Sequence, residues 1–456
     1  MKNWTHTTSP RTRIILLGLL LATLTTLLHA WHLGQPNAVI FDEVHFGKFL
    51  TAYCCSKERI FDIHPPHAKL MLAAAAKIAG YRGGFDFAHI GESYAGQPVI
   101  ALRWLPAVWG GLAVVLVFII LRQLGATEAA AFLGSLMLAL DNGMLIQTRV
   151  IALDGLLVVA ILAVLSTYLA SLEQESYRRK IPWLLLTGAL TGLAVGTKFT
   201  GLVALALPAW AALLQTDRHS RLGQLFQVAR QYIWILSAAL LIYAAGWWLH
   251  FHLLQRSGPG DAFFRPSGSF LRDVSQMHVR MLKLNYHLKQ THPYGSAFWS
   301  WPFVIRPVFY WASPGRFIYL AGNPVVWLGS FLVLVFGLFA TGLAHVSDLR
   351  LPRKGPAFLL LSGAFLMSYL PYAAIPRTLF IYHYLPSLPF AVMGSVIFLD
   401  RVGWIRPGSI LAQRRSYYLV CTAVLLAFVA LLPLTYGFNH SRWYDDVLFR
   451  FFKSWR

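Results

Sequence analysis

The chain is dominated by a succession of apolar runs, each close to the length that crosses a lipid bilayer as a helix. A hydrocarbon core of roughly 30 Å needs about 20 apolar residues in helical form. Scanning for such runs predicts eleven transmembrane spans, and the fold class is therefore an all-α polytopic membrane protein. The predicted ranges are 14–34, 99–122, 126–146, 151–171, 181–196, 199–214, 231–254, 322–345, 356–374, 380–399 and 416–434.

The composition agrees with a membrane protein and argues against a nucleic-acid-binding one. Of 456 residues, 57% are hydrophobic and only 12% are charged, whereas soluble proteins have roughly 25% charged residues. The formal net charge is +21, which in a soluble chain would suggest nucleic acid. Here the basic residues lie mostly in short segments between apolar runs, where anionic lipid head groups would meet them. We expect membrane lipids as a partner and no nucleic acid.

Two local features of the sequence have more than one interpretation. The apolar stretch 14–28 follows Arg11 and Arg13 like a signal peptide, but Leu28 is too large for a cleavage site after Ala30. We therefore expect an uncleaved first span. The three cysteines, Cys54, Cys55 and Cys421, form no disulfide framework or zinc spacing, and the adjacent pair is expected to be inert.

The short loops predict the orientation of the chain. Cytoplasmic loops of membrane proteins carry an excess of Lys and Arg, and the basic residues fall in alternate loops. A single transmembrane domain, 1–456, then has a cytoplasmic N-terminus, an exoplasmic C-terminus and two large exoplasmic segments, 35–98 and 255–321. The orienting residues are Arg11, Arg13, Arg178, Arg179, Lys180, Arg218, Arg221, Arg230, Arg350, Arg353, Lys354, Arg401, Arg406, Arg414 and Arg415.

The second exoplasmic segment contains a helical pattern of apolar and basic residues. The apolar residues recur at steps of three and four, with basic residues between them, which predicts an amphipathic helix on the membrane surface. A helix buried in a soluble cap is the alternative. The apolar positions are Phe270, Val274, Met277, Met281, Leu284 and Leu288, and the basic ones are Arg272, Arg280, Lys283 and Lys289.

Acidic residues are scarce, and six of the eighteen fall in the first exoplasmic segment. Asp42 and Glu43 follow directly after the first span. Two adjacent carboxylates at a membrane surface can supply an ionised base that faces a pocket. An isolated pair of this kind is more often a loop turn or a helix cap, so the neighbouring residues decide between these readings.

A second polar motif follows, His64-Pro65-Pro66 with Lys69. Proline suits the first turn of a helix, and the apolar residues 70–79 are too few to span the bilayer. The predicted short helix therefore lies at the interface. Lys69 in its first turn is placed where backbone N–H groups already favour an anion such as a lipid phosphate; snorkelling of Lys69 to head groups is the alternative.

Four charged residues lie inside or at the ends of spans: Arg103, Arg149, Asp154 and Lys198. A charge near mid-membrane costs roughly 3 kcal/mol, so such residues generally pair or face a cavity. All four fall near the predicted exoplasmic face. Arg149 and Asp154 are also compatible with a purely structural ion pair.

Together these motifs resemble the protein O-mannosyltransferase signature, in its order and from about residue 38 to 400. The matching elements are Phe41-Asp42-Glu43-Val44-His45-Phe46-Gly47, His64-Pro65-Pro66 with Lys69, Arg103 with Pro106-Ala107, Arg149 to Asp154, Gly192 to Gly201 around Lys198, His292-Pro293-Tyr294, Trp299-Ser300-Trp301-Pro302, Gly322-Asn323-Pro324 and Tyr382-His383-Tyr384-Leu385-Pro386.

The resemblance implies a GT-C fold and an inverting transfer of mannose from a polyprenyl-phosphate mannose to Ser or Thr hydroxyls. Eukaryotic members carry a lumenal MIR domain between spans seven and eight, and segment 255–321 is too short for one. The chain is thus more similar to the bacterial members, which act at the inner membrane on exported proteins. A dimer is compatible with the resemblance, and neither a cofactor nor a metal site is predicted.

The resemblance also assigns roles. An attacking hydroxyl must lose a proton, so Asp42 is the expected base, with Glu43 beside it in acceptor binding. A leaving phosphate needs cations. The expected phosphate and sugar contacts are His64, Lys69, Arg103, Arg149, Asp154, Lys198, His292, Arg306, Tyr382 and His383.

Two other functions remain open at this point. One is a transferase of the same fold with a lipid or cell-wall glycan acceptor, for which the carboxylate and the cations would be unchanged. The other is a transporter or flippase of a lipid-linked sugar, which predicts inverted repeats and broken mid-membrane helices. No convincing repeat is found, and the polar residues cluster at one face.

Overall fold

The structure is a computed structural model that describes residues 10–214, 221–287, 291–346, 356–405 and 411–451. Within these residues the chain is predominantly helical. The helices are α1 Pro10–Ala30, α2 Glu43–Thr51, α3 His67–Ile78, α4 Val99–Gln123, α5 Glu128–Ala139, α6 Asn142–Gln147, α7 Asp154–Leu172, α8 Tyr177–Val195, α9 Val203–Leu213, α10 Arg221–Leu253, α11 Phe270–His287, α12 Pro324–Val346, α13 Pro356–Tyr369, α14 Leu388–Arg401, α15 Leu411–Tyr436 and α16 Arg442–Phe451.

Every predicted range contains helix, although 126–146 is divided between α5 and α6, and 380–399 begins with a single helical turn before α14. Seven of the helical segments are long and apolar enough to cross a membrane, and they correspond to the predictions 14–34, 99–122, 151–171, 231–254, 322–345, 356–374 and 416–434. Three of the other four predicted ranges, 126–146, 199–214 and 380–399, contain shorter helices. The fourth, 181–196, lies in α8, which has three basic residues at its start. A polytopic membrane protein is confirmed. Among the residues used for orientation, Arg218, Arg350, Arg353, Lys354 and Arg406 lie outside the described part.

One β-hairpin, which an all-helical prediction omits, lies in the second large loop. Strands β1 Val308–Ser313 and β2 Arg316–Leu320 pair antiparallel, with Val308 opposite Leu320 and a bulge between Phe309 and Trp311. The connection is Pro314-Gly315, and Gly315 has φ +68°, a conformation that suits glycine. A Pro-Gly pair between aromatic residues is a hairpin signal. A search for long apolar runs does not detect it.

The predicted amphipathic helix is present as α11, although Leu288 and Lys289 lie outside the described residues. Its face with Met277 and Met281 is buried against Trp247 of α10. This face is therefore covered by protein and does not enter lipid. The opposite side carries exposed apolar and basic residues.

The expectation for the adjacent cysteines is wrong. Cys54 and Cys55 form a disulfide inside the π-helical turn Ala52–Ser56 that follows α2. Cys55 lies close to Gly83, where an added Cβ would stand 2.9 Å from the Cβ of Cys55. Neighbouring cysteines rarely bridge in regular helix; here the widened turn ends the helix and Lys57 adopts a left-handed conformation with φ +63°.

Helices α8 and α10 approach each other through a pair of glycines. A Cβ on Gly188 or Gly192 would overlap the backbone oxygen of Ile235 or of Ala239 in α10. Small residues spaced by four allow such close backbone approach in membrane helices. This contact fixes the end of α8, just beyond which Lys198 lies.

We predict that Gly192→Ala destabilises the protein by about 1–3 kcal/mol, because the helices must separate to admit the methyl group. The measurement is thermal unfolding of the purified protein in detergent. Gly329→Ala in α12 is the matched control, since no atom of another described element lies within 4 Å of a Cβ at that position. Equal midpoints for the two variants would refute the close approach.

Candidate active site

Glu43 and Arg103 form a fully buried ion pair that anchors the start of α2 to α4. Arg103 Nε donates to Oε1 of Glu43 and Nη2 donates to Oε2, each at 2.7 Å. The Glu43 carboxylate also accepts from the hydroxyl of Tyr94 and from the backbone N–H groups of Ile40 and Ile151. Both side chains have no exposed surface. Every donor and acceptor of the pair is thus engaged within the protein.

This burial bears on the predicted roles of both residues. Glu43 presents no carboxylate to an acceptor, because its oxygens are enclosed and satisfied. Arg103 is not a cation for a phosphate, because its remaining N–H groups hold the carbonyls of Leu33, Pro36 and Ala38. The two residues instead fix the chain between the first span and α2.

Asp42, one residue earlier, has the opposite environment. Its side chain is half-buried and does not cap α2, and no hydrogen bond or ion pair to it occurs among the described residues. The preceding Phe41 has φ +41°, an uncommon conformation for a non-glycine residue. A hydrogen bond from Phe41 N–H to the oxygen of Tyr310, at 3.1 Å, and a ring stack at 4.2 Å hold it there. The hairpin therefore helps to aim Asp42.

The charge state of Asp42 follows from its surroundings. Burial disfavours the ionised carboxylate and raises the pKa of Asp42 to about 7. The positive charge of Lys198 opposes this rise, while Asp154 and Asp62 reinforce it and Arg377 opposes it more weakly. A carboxyl with a pKa near neutrality is matched to accepting a proton at physiological pH.

Lys198 is held by a chain of buried polar groups. Its ammonium donates to Oδ1 of Asp154 at 2.7 Å, and Gln147 Nε2 donates to Oδ2 of the same carboxylate at 2.7 Å. The hydroxyl of Tyr310 donates to Oε1 of Gln147. A lysine ammonium has three donors, so the bond to Asp154 leaves donors for a ligand.

Arg149 and Asp154 do not pair, so the alternative of a structural ion pair between them is wrong. Asp154 is taken by Lys198. Arg149 donates to the carbonyls of His29 and Trp31, and its guanidinium lies 4.3 Å from the ring centre of Tyr436. It ties α1 to α15, is enclosed at 7% exposure and is not among the residues that line the cavity described below.

Lys69 also has a partner within the protein. Its ammonium is ion-paired with Asp62 and donates to the carbonyl oxygen of His64 at 2.6 Å. The short helix α3 begins at His67 after Pro66, as predicted. Lys69 thus braces the loop before α3, and it does not line the cavity described below.

His67 joins three elements. Its ring nitrogens lie 3.1 Å from the oxygen of Gly196 and 2.9 Å from the oxygen of Ile242. A Cβ at Gly196 or Gly246 would overlap this ring. The histidine therefore fastens α3 to the end of α8 and to α10, which brings His64 beside Lys198. The sequence contained the His-Pro-Pro-His motif, but the prediction singled out only its first histidine.

A cavity of about 260 Å³ lies where these elements meet. Of the predicted residues, His64, Lys198 and His383 line it; Asp42 does not, although it lies close enough to Lys198 and Arg377 for their charges to affect its pKa. The lining residues are His64, Lys198, Phe199, Thr200, Leu282, Asn285, Tyr286, Tyr372, Ala374, Ile375, Pro376, Arg377, Leu379 and His383.

Aromatic rings join Asp42 to the cavity. Tyr382 stacks on His383 at 4.5 Å and meets the ring of Phe41 edge-on at 5.8 Å. The Lys198 ammonium lies 5.8 Å from the centre of the Tyr382 ring. Surrounding cations and burial lower the pKa of His64 well below its usual value, with burial the larger cause, so its imidazole stays neutral.

Arg377 is the site residue that the sequence reasoning missed. It lines the cavity, donates to Oδ1 of Asn285 at 2.7 Å, and forms no ion pair with a carboxylate in the described ranges. Asn285 also donates to the carbonyl of Ile63, at 3.2 Å, and so ties α11 to the His-Pro-Pro loop. The only available signal was a basic residue just ahead of the Tyr382-His383 motif.

Two predicted ligands lie away from the cavity lining. Arg306 is exposed, with φ +58°, in the turn that precedes β1. His292 is exposed and contacts Phe380 with ring centres 5.1 Å apart, and it is not among the lining residues. Among the described residues no group of three or more His, Cys, Asp or Glu side chains is placed to hold a metal ion.

Comparison with known proteins identifies the family. Residues 19–255 match the profile of dolichyl-phosphate-mannose-protein mannosyltransferases, and residues 270–455 match that of the C-terminal four-transmembrane region of protein-O-mannosyltransferase. The chain belongs to the protein O-mannosyltransferase family.

Individual relatives agree with this membership. Dolichyl-phosphate-mannose–protein mannosyltransferase 4 of Candida albicans is 35% identical over 258 residues, which is 53% of this chain and 34% of that relative. Protein O-mannosyl-transferase 1 of Danio rerio is 30% identical over 257 residues, 54% of this chain and 35% of that relative. The chain thus spans about a third of the length of these relatives.

The fold is that of GT-C enzymes. The Saccharomyces cerevisiae protein O-mannosyltransferase Pmt1-Pmt2 complex bound to the sugar donor superposes with a TM-score of 0.87 at 19% identity, over 98% of this chain and 93% of that one. ArnT from Cupriavidus metallidurans in the apo state gives 0.58 at 16% identity, over 94% and 78%. The predicted GT-C fold is confirmed.

We predict that Arg103→Met destabilises this family member by about 3–5 kcal/mol, because it leaves the Glu43 charge buried without its partner. The double variant Glu43→Gln/Arg103→Met should lose less than the sum of the two single changes, since no unpaired charge remains. Chemical unfolding in detergent measures both. Additive losses would mean that the two side chains do not interact.

Proposed function

We propose that this chain is an inverting glycosyltransferase that moves mannose from a polyprenyl-phosphate mannose to Ser or Thr hydroxyls of exported proteins. The observation that carries the proposal is Asp42, a half-buried carboxylate without a partner among the described residues, beside the cations Lys198 and Arg377. The family membership supplies the donor and acceptor classes. An unpaired carboxylate with a raised pKa close to a cavity is typical of a catalytic site.

In the proposed reaction the donor phosphate lies in the cavity, held by Lys198 and Arg377, with neutral His64 beside them. The sugar extends past Tyr382 towards Asp42. The acceptor oxygen attacks the anomeric carbon from the face opposite the phosphate, and Asp42 takes the hydroxyl proton as the bond forms. The bond from the anomeric carbon to the phosphate oxygen breaks, and the lipid phosphate leaves with the electron pair.

The cations act where negative charge develops. The leaving phosphate gains a second charge, and charge-assisted hydrogen bonds from Arg and Lys are about twice as strong as neutral ones. Fixed donors of this kind need no rearrangement during the reaction. The phosphate is a weak base, so no general acid is required.

We further propose that the protein lies in a bacterial inner membrane with the cavity on the exoplasmic side. The basic loops and the small size of segment 255–321 support this placement. A two-chain assembly is also proposed, since the yeast structure with the same fold is a complex of two chains.

The deciding experiment incubates purified protein with radiolabelled polyprenyl-phosphate mannose and a Ser/Thr-containing peptide. Label on the peptide is the expected result. Label only on an added glycolipid would support the alternative transferase. Movement of the lipid across vesicles without any transfer would support a flippase and refute the enzyme.

In this assay we predict that Asp42→Asn lowers turnover by at least about 10²-fold, because the amide cannot accept the proton. Asp86→Asn is the matched control, since Asp86 is an exposed carboxylate in the same segment and its loss should leave turnover unchanged. Both variants should unfold at the wild-type temperature. Normal turnover by Asp42→Asn would remove Asp42 from the mechanism.

The pKa of Asp42 also predicts the pH dependence. A base is active only when deprotonated, so kcat/KM should be level above about pH 7 and fall about tenfold per pH unit below it. The donor is a phosphate diester and stays anionic throughout this range, so it does not contribute to the profile. Initial rates from about pH 5 to pH 8 at low donor concentration test this, and a flat profile would contradict the assignment.

A further inference from the structure

A second cleft, separate from the cavity described above, lies between α11 and the segment that follows α10. It has a volume of about 570 Å³, within the range of small-molecule sites. Arg265 lies on one wall, and Arg280 and Lys283 lie on the other, on α11. All three are exposed, and none forms an ion pair or a side-chain hydrogen bond within the described ranges.

The one carboxylate in the cleft does not neutralise these cations. Asp261 accepts two hydrogen bonds from Arg59, at 2.5 and 3.0 Å, and a third from Ser257 at 2.6 Å. The charge of Asp261 is therefore balanced by Arg59, which is not one of the three cations that line the cleft. Three like charges around one cleft repel each other, and an anion placed between them would remove that repulsion.

The cleft also has apolar surface that a soluble anion would not use. Phe263 and Val279, both 47% exposed, line it beside the cations, and Leu271 on the same helix is 80% exposed. Basic side chains next to exposed apolar ones are the pattern by which a helix binds the interface of an anionic membrane. The ligand that fits both features is an anionic amphiphile.

The position of the cleft matches the depth of lipid head groups. Helix α10 is long and apolar enough to span a membrane and ends at Leu253, with Trp248, which is 55% exposed, near that end. Tryptophan is enriched at the boundary between hydrocarbon and head groups. Arg265 follows the end of the helix by only twelve residues, and Arg59 binds the oxygen of Gln255 at 2.6 Å, which keeps this segment near the helix end.

We propose that this cleft binds the phosphate of an anionic phospholipid head group, with Arg265, Arg280 and Lys283 as its ligands and Phe263 and Val279 against the acyl region. Lipid bound at this site would hold α11 against the bilayer surface. Because Leu282 and Tyr286 of α11 line the other cavity, the bound lipid would also steady one wall of it. The proposal concerns lipid binding and does not depend on the proposed transfer reaction.

The test is native mass spectrometry of the full chain in detergent, titrated with phosphatidylglycerol or with phosphatidylcholine. We expect one phosphatidylglycerol to bind more tightly than phosphatidylcholine. Arg265→Gln/Arg280→Gln/Lys283→Gln should weaken this binding at least about tenfold, since each basic residue contributes to attraction of an anionic lipid. The control Arg178→Gln/Arg179→Gln/Lys180→Gln removes the same charge at the start of α8 and should keep wild-type affinity.

Several outcomes would overturn the proposal. Equal losses in the two triple variants would mean general charge attraction without a site. Displacement of the lipid by equimolar glycerol 3-phosphate would mean that a soluble phosphate is the ligand. Unchanged lipid binding, with loss of binding to an acidic acceptor peptide, would make the cleft a protein-docking site. If the triple variant fails to fold, the single change Arg280→Gln replaces it in the test. This change should weaken phosphatidylglycerol binding about threefold, and unchanged binding would refute the site.

Discussion

The structure depends on the burial of charge in pairs, and above all on Glu43 with Arg103. Neither side chain has exposed surface, and together they engage carbonyls before α2, N–H groups from two loops and the Tyr94 hydroxyl. An unpaired charge in such a place would cost several kcal/mol. The pair therefore constrains the path of the chain from α1 to α2, and the residue that gains a defined position is Asp42.

Adjacent carboxylates thus have separate tasks. Glu43 is the first residue of α2 and points into the core, while Asp42 precedes the helix and stays half-buried near Lys198. The left-handed Phe41, held by the hairpin residue Tyr310, sets the angle between them. The Glu43 carboxylate stabilises the fold, which leaves the Asp42 carboxylate available for chemistry in the proposed mechanism.

The cation side of the site is built from distant elements. His67 fastens α3 to α8 and α10, and Asn285 links α11 to both the Ile63 carbonyl and Arg377. Lys198 is oriented by Asp154 and Gln147. Most of these residues do not contact a substrate in the proposed mechanism. Each of them instead restricts the position of a residue that does.

The sequence by itself determined that the chain is a polytopic, helical membrane protein, because apolar run length is a local property. It also carried the family signature, and with it the GT-C fold. It did not determine which charged residues meet. Arg103, Arg149 and Lys69 are as basic in sequence as Lys198, and all four have partners within the protein. Of the four, only Lys198 lines the cavity. Only the tertiary structure decided this, because in a low-dielectric interior the partner that lies within a few ångströms fixes the role of a charge, and that partner is usually far away in the sequence.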